Sequence, residues 1–167
     1  NVLGVVGSAS WGPVDQPMIV GSMGDYATSF GPILARQYDM GTVVAIGVQQ
    51  GASNFRCVRV TDGTDTAASV SILGALTLTA LYTGSLGNNL VATLSSGSAA
   101  NSWQVTIALP GGAVEVYNNI IGTGAAFWAA VASAINSGTG PLRGASQLVV
   151  ASAGTSSIAP SAGSFPF

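Results

Sequence analysis

The sequence predicts a mixed α/β (α+β) fold: an N-terminal strand-helix-strand part, followed by a β-rich part with one helix. Three observations predict it. Val2-Leu3-Gly4-Val5-Val6-Gly7-Ser8-Ala9 is a continuous apolar run ending in small residues, the pattern of a strand buried on both faces. Residues 75–94 alternate apolar and polar on either side of a turn with two glycines and two asparagines. The polar run Thr61-Asp62-Gly63-Thr64-Asp65-Thr66 marks a shift in composition. Before it strands alternate with helices; after it strand patterns dominate.

The elements follow in order. After the strand at 2–9, Trp11-Gly12-Pro13-Val14 reads as a turn. Pro17-Met18-Ile19-Val20 reads as a short strand, with Pro at its entry, where no ladder N–H is lost. Ser22 is the expected N-cap of a helix over 23–30, with Asp25 as a variant capping box and Gly31-Pro32 as its stop. Residues 32–52 read as a longer helix, because Ile33, Leu34, Gln37, Met40, Val44 and Val48 keep three-to-four spacing. The β-branched residues of 42–48 make a strand the competing reading there. Residues 55–60 read as a strand with Phe55, Cys57 and Arg59 on one face.

The second part carries strand patterns at 75–82, 89–95, 102–109 and 113–118, with Pro110-Gly111-Gly112 as a hairpin turn. Residues 125–137 form an amphipathic helix that turns Phe127, Trp128, Val131 and Ile135 inward. A last strand falls at 147–151, and the Ser/Ala/Gly/Pro-rich tail reads as a connector. The expected division is 1–66, 67–152 and a connector at 153–167.

Composition excludes several function classes. Charged residues make up 6% of the 167, against about 25% in average soluble domains. Lys and His are absent, and 20 Ser and 13 Thr carry much of the surface. A neutral surface of this kind favours association with copies of itself. It also suits a Ser/Thr-rich extracellular or virion protein. Four scattered arginines cannot neutralise a run of phosphates, so nucleic-acid binding is rejected. The longest apolar stretches, 42–48 and 125–135, are short of the roughly 20 residues of a spanning helix. No basic segment precedes an apolar run in the manner of a signal peptide. The chain opens inside a strand-like run without an initiator Met, which reads as a piece of a longer polypeptide.

The search for chemistry yields no catalytic, cofactor-binding or metal-binding residues. Without His no Ser-His-Asp or Cys-His arrangement can be built, and without Lys there is no Walker A loop or Schiff base. Cys57 is single and reads as a buried small hydrophobe. Asp62 and Asp65 share a Gly/Thr loop but lack the Glu that ends a calcium loop, so a solvated turn is expected. Gly122-Thr123-Gly124 precedes a helix, yet position 127 is Phe where a dinucleotide fingerprint needs its third Gly. Glu115, the only Glu, has no carboxylate partner suggested nearby. Trp11, Trp103 and Trp128 read as packing residues. The alternative is a glycan-binding module that uses Trp103 or Trp128.

Four segments, in order, resemble contractile bacteriophage tail sheath proteins. The first is Val2 to Ser22, with its Gly12-Pro13 turn and Pro17-Met18-Ile19-Val20-Gly21-Ser22, followed by Tyr26, Phe30 and Gly31. The second is Gly51 to Arg59-Val60, similar to the family's glycine-rich turn leading into an aromatic-x-V-R-V strand, although Val48-Gln49-Gln50 stands where the family has aromatics. The third is Ala80 to Leu90, an A-x-x-x-G-x-x-G-N-x-L turn with Leu86 where Trp is frequent. The fourth is Val114 to Ile120, the helix at 127–136, and Leu148-Val149-Val150-Ala151.

The resemblance implies a sheath-like α/β part at 1–66, incomplete without a C-terminal partner. It implies an inserted, outward-facing β-rich domain at 67–152. It further implies a non-enzymatic subunit of a virion tail, assembled in the host cytoplasm. Such subunits form six-membered rings stacked as a helix on a tail tube and baseplate, and contract to drive the tube through the host envelope.

Overall fold

The computed structural model describes residues 2–141 and 143–167. Among the described residues three α-helices and ten strands form, the strands in three small sheets. The chain divides into two compact units. The first runs up to Thr66 and takes back Tyr82–Leu86; the second holds Ala67–Leu81 and Gly87–Phe167.

In the first unit, β1 (Leu3–Gly7) runs parallel to β3 (Phe55–Arg59), and β2 (Pro17–Val20) runs antiparallel to β3 on its other side. α1 (Met23–Phe30) and α2 (Met40–Gln49) pack on one face of this sheet. Val5, Val20, Tyr26, Phe30, Met40, Val44, Phe55 and Cys57 make the core between them. Ser22 caps α1: its Oγ accepts from the Asp25 N–H at 3.2 Å, while Asp25 Oδ2 accepts from the Gly21 N–H at 3.1 Å. This is a variant of the capping box, with Asp in place of Glu and the returning bond taken from the residue before the cap, Gly21. Gly31, at φ 82°, ends the helix in a conformation that costs a residue with a Cβ.

The helix expected over 32–52 is shorter than its apolar spacing suggests: it begins only at Met40. Asp39 stops its extension backwards by capping it, accepting from the Thr42 N–H at 2.8 Å and the Thr42 hydroxyl at 2.9 Å. The preceding backbone is engaged elsewhere. The Tyr38 carbonyl accepts from the Ser8 N–H at 2.9 Å, and the Met40 N–H donates to the Ser8 carbonyl at 3.0 Å. Tyr38 also sits at φ 58°, outside the helical region. Pairing with the end of β1 overrides the local periodicity.

In the second unit, one sheet has the order β10-β6-β7-β8: β6 (Val91–Ser96), β7 (Trp103–Ala108), β8 (Val114–Ile120) and β10 (Gly163–Pro166), all antiparallel. The other has the order β4-β5-β9: β4 (Ser69–Ile72), β5 (Leu76–Ala80) and β9 (Val149–Ala153). α3 (Gly124–Ser137) buries Phe127, Trp128, Val131 and Ile135, the four residues its periodicity turns inward. Asn136 holds β9 to the helix, donating to the Ala151 carbonyl at 2.7 Å and accepting from the Ala151 N–H at 2.9 Å.

Two elements depart from the sequence reading. β4 falls in a Ser/Val alternation too short to register beside the polar run before it. Residues 153–167, expected as a connector, carry β10, which pairs Phe165 with Ala92 and Pro166 with Val91. Proline is tolerated there because β10 is an edge strand.

Candidate functional site

The turn after β5, the segment 82–86, folds back into the first unit. The Leu86 N–H donates to the Ser10 carbonyl at 3.1 Å, and the Tyr82 ring meets Trp11 edge-on at 5.3 Å between centroids. Gly84, at φ 116°, lies so close to the Ser10 carbonyl that a Cβ would collide with it. The glycine that reads as turn chemistry is needed for this approach.

Beside that turn lies a buried charge. Arg59 is 2% exposed, on the same face of β3 as Phe55 and Cys57. Its guanidinium donates to the Gly12 carbonyl at 2.8 Å, to Asp65 Oδ2 at 2.7 Å and to the Thr83 hydroxyl at 3.2 Å. One side chain thus ties three loops: the Gly12-Pro13 turn, the 61–66 loop and the returning 82–86 turn. The Thr83 hydroxyl, with help from Thr61 and the Arg59 charge, holds the Asp65 carboxyl below its ordinary pKa. Burial acts in the opposite sense on Arg59 and lowers its pKa.

Asp65 is therefore not the solvated turn residue its loop suggested. Asp62 is: its carboxylate accepts from the Thr64 N–H at 3.0 Å and the Thr64 hydroxyl at 2.7 Å, and these bonds lower its pKa. Among the described residues, no group of three or more Asp, Glu, Cys or His side chains converges as metal ligands would.

The second unit buries the opposite charge. Glu115, on β8, accepts from the Ser146 hydroxyl at 2.5 Å, the Gln147 N–H at 2.8 Å and the Tyr117 hydroxyl at 3.4 Å. Arg143 lies 3.2 Å from Glu115 Oε1, the oxygen that the Gln147 N–H also binds, and stacks over the Tyr117 ring at 5.0 Å. Burial, with the Glu115 charge next, pushes the Tyr117 hydroxyl up. The arrangement pins the 143–148 loop to the sheet. Sequence reasoning sought only a second carboxylate for Glu115 and so missed it. The signal for both clusters was a charged residue at an inward position of a strand.

The remaining candidates resolve into packing. Cys57 is free and buried, and burial pushes its thiol up to about 11. Gly122 is at φ 138° and abuts the Phe127 backbone, so the Gly122-Thr123-Gly124 turn serves close packing against α3. Trp128 is fully buried, and its indole N–H donates to the Ile158 carbonyl at 2.9 Å, which removes it as a stacking platform for a ligand. Trp11 is buried too. Trp103 alone is half-buried, packed edge-on against Phe127 and lining an open cleft of about 720 Å³ with Ser96, Asn101 and Thr123. No helix among the described residues is long and apolar enough to cross a membrane.

What the molecule does present is apolar surface on a chain with little charge. Val6, Ile19, Tyr38, Val43 and Ile46 of the first unit are each more than half exposed.

No protein-family description matches the chain, and no curated protein matches it. Solved structures do. A sheath tail protein from Listeria innocua matches over 99% of this chain and 32% of its own, with a TM-score of 0.69 at 18% identity. A sheath tail protein from Desulfitobacterium hafniense matches over 98% of this chain and 34% of its own, with a TM-score of 0.63 at 15% identity. The chain has the fold of these sheath tail proteins and spans about a third of their length.

Proposed function

We propose that this chain is part of a tail sheath subunit, a mechanical building block of a virion tail that works by packing against copies of itself. The observation that carries this reading is the fold match over nearly the whole chain to two sheath tail proteins. The exposed apolar surface and the 6% charge support it, since both favour association over solitary solubility. In this reading residues 1–66 belong to a sheath-like α/β part, and residues 67–152 form an inserted, outward-facing domain. Subunits join in six-membered rings stacked as a helix around a tail tube, on a baseplate. Contraction then switches between two packings of nearly rigid subunits and drives the tube through the host envelope. No step needs a catalytic residue, because the free energy is stored in the lattice at assembly.

Electron microscopy of the full-length gene product tests this. The expected result is long striated tubes or collapsed sleeves. Particles that stay monomeric at high concentration would overturn it.

A further inference from the structure

The open cleft of about 720 Å³ in the second unit has walls that the fold fixes in advance. One wall is the 97–102 loop between β6 and β7. Two asparagines near the end of β8 hold this loop. Asn119 Oδ1 accepts from the Ala99 N–H at 2.8 Å, the Ser98 hydroxyl at 3.0 Å and the Ser102 hydroxyl at 3.1 Å. The Asn118 amide donates to the Ser98 hydroxyl at 2.9 Å, and its oxygen accepts from the Ser98 N–H at 3.2 Å. Gly122-Thr123, before α3, supplies another part of the lining. Trp103 lines it too, held edge-on by Phe127 at 6.2 Å between centroids.

The chemistry of the lining selects the class of ligand. Among the described residues that line the cleft none is charged. An anion would meet no cation there, and a metal ion no carboxylate. Hydroxyls and an amide line it instead, from Ser96, Asn101 and Thr123. The Thr123 side chain makes no cap bond to α3, so its hydroxyl is not committed to the helix. An indole among neutral hydrogen-bonding groups matches a sugar, whose ring has an apolar C–H face and a rim of hydroxyls. A wholly apolar ligand would leave those polar groups without partners. A peptide added as a strand is excluded at Trp103, because β7 is already paired on both sides, with β6 and β8. The volume falls within the roughly 300–1,000 Å³ of ligand sites. Walls already held in place reduce the ordering cost of binding.

We propose that this cleft binds a neutral saccharide, with Trp103 as the stacking surface and Asn101 and Thr123 as hydrogen-bonding groups. The site is built within the second unit alone. It does not depend on the sheath role, so the two fail separately.

The test is an array of immobilised oligosaccharides probed with the labelled full-length gene product. The neutral set carries glucose, mannose, galactose and N-acetylglucosamine chains; the acidic set carries galacturonate chains. The expected result is retention on at least one neutral chain, competed off by the same chain in solution. Trp103→Ala is expected to weaken that retention at least about tenfold, the loss of a central aromatic anchor. Val114→Ala, at the far end of β8, is expected to leave it unchanged. Because Trp103→Ala also removes the contact with Phe127, Asn101→Gly combined with Thr123→Ala is the second variant. Asn101 is exposed at φ 57°, a conformation glycine takes freely, and the Thr123 side chain caps nothing. This pair is expected to cost about fivefold. Loss of retention in either variant, with the far-UV circular dichroism of the parent kept, supports the assignment. No retention on any neutral chain, or retention confined to the acidic set, would overturn it. So would neutral binding that the folded variants leave intact, which would put the sugar elsewhere on the molecule. Striated tubes without sugar binding would sink the cleft alone; sugar binding by a polypeptide that stays monomeric would sink only the sheath role.

Discussion

The two units solve the same problem, a chain almost without charge, in different ways. The second unit encloses its apolar residues. Its one helix buries Phe127, Trp128, Val131 and Ile135, and its exposed large hydrophobics are Val114 and Val116 on one face of β8, with Ile121, Val150 and Ile158 elsewhere. The first unit closes one side of its sheet and leaves the other bare, and leaves Val43 and Ile46 bare on α2. The first also buries Asp39 and Arg59, and the second buries Glu115. The helices of the first unit cover one face of its sheet and leave Val6 and Ile19 exposed on the other.

The contrast is broken most severely at Trp128. Trp128→Ala empties a fully buried site and orphans the Ile158 carbonyl. Substitutions of this type cost about 3–5 kcal/mol. Chemical denaturation followed by Trp fluorescence and far-UV circular dichroism is expected to show that loss. A cost under about 1 kcal/mol would mean the core of the second unit is not closed as described.

The buried charges sharpen the contrast at smaller cost. Asp65→Ala leaves the Arg59 guanidinium buried with only the Gly12 carbonyl and Thr83 hydroxyl as partners, and is expected to cost about 3 kcal/mol. Arg143→Ala is milder, about 1 kcal/mol, because Arg143 is itself 30% exposed and Glu115 keeps its Ser146, Gln147 and Tyr117 donors. Equal costs would show that the two clusters do the same job. The pH dependence has a definite sign. The Asp65 carboxyl is held below its unfolded pKa by Thr83, Thr61 and Arg59. Its contribution is therefore complete above about pH 4 and is lost as pH falls through the lower folded value. Asp65→Asn is expected to flatten that acid limb.

How much of this was legible in the sequence follows the same division. In the second unit α3 and its inward face could be read from spacing, because a helix that packs on a sheet along its length keeps its period. The β6-β7-β8 strands could be read from alternation and the Pro110-Gly111-Gly112 turn. The helix misjudged at 32–39 and the strand missed at 163–166 share a cause: each is fixed by a partner distant in sequence, Ser8 for Tyr38 and β6 for β10. β4 pairs with its neighbour β5 across residues 73–75, and its four-residue alternation is too short to register. The single turn motif at 82–86 could be read as a turn, but its return to Ser10 and Trp11 could not. Arg59 and Glu115 were legible only as charged residues with inward strand parity; their partners lie on loops whose paths the sequence does not dictate. Parity at Cys57, by contrast, was enough to predict its burial.

Cys57 gives the finest probe of the first unit, with no titration-linked effect expected at neutral pH. Burial raises its thiol from 9.0 to about 11, so the folded state favours the neutral form. The resulting contribution to stability is complete below about pH 9 and is lost as pH rises from there towards the folded value. Titration with a thiol reagent at pH 8 is expected to find Cys57 unreactive in the folded chain and reactive in denaturant. Cys57→Ala is expected to remove the part of the alkaline loss that begins near pH 9 and to leave the part owed to Tyr26, whose hydroxyl burial pushes up to about 12. A thiol that reacts freely at pH 8 would mean that α1 and α2 open from the sheet. The half-covered unit would then be loose on its closed face as well, and the bare face would no longer be the feature that sets it apart from the second unit.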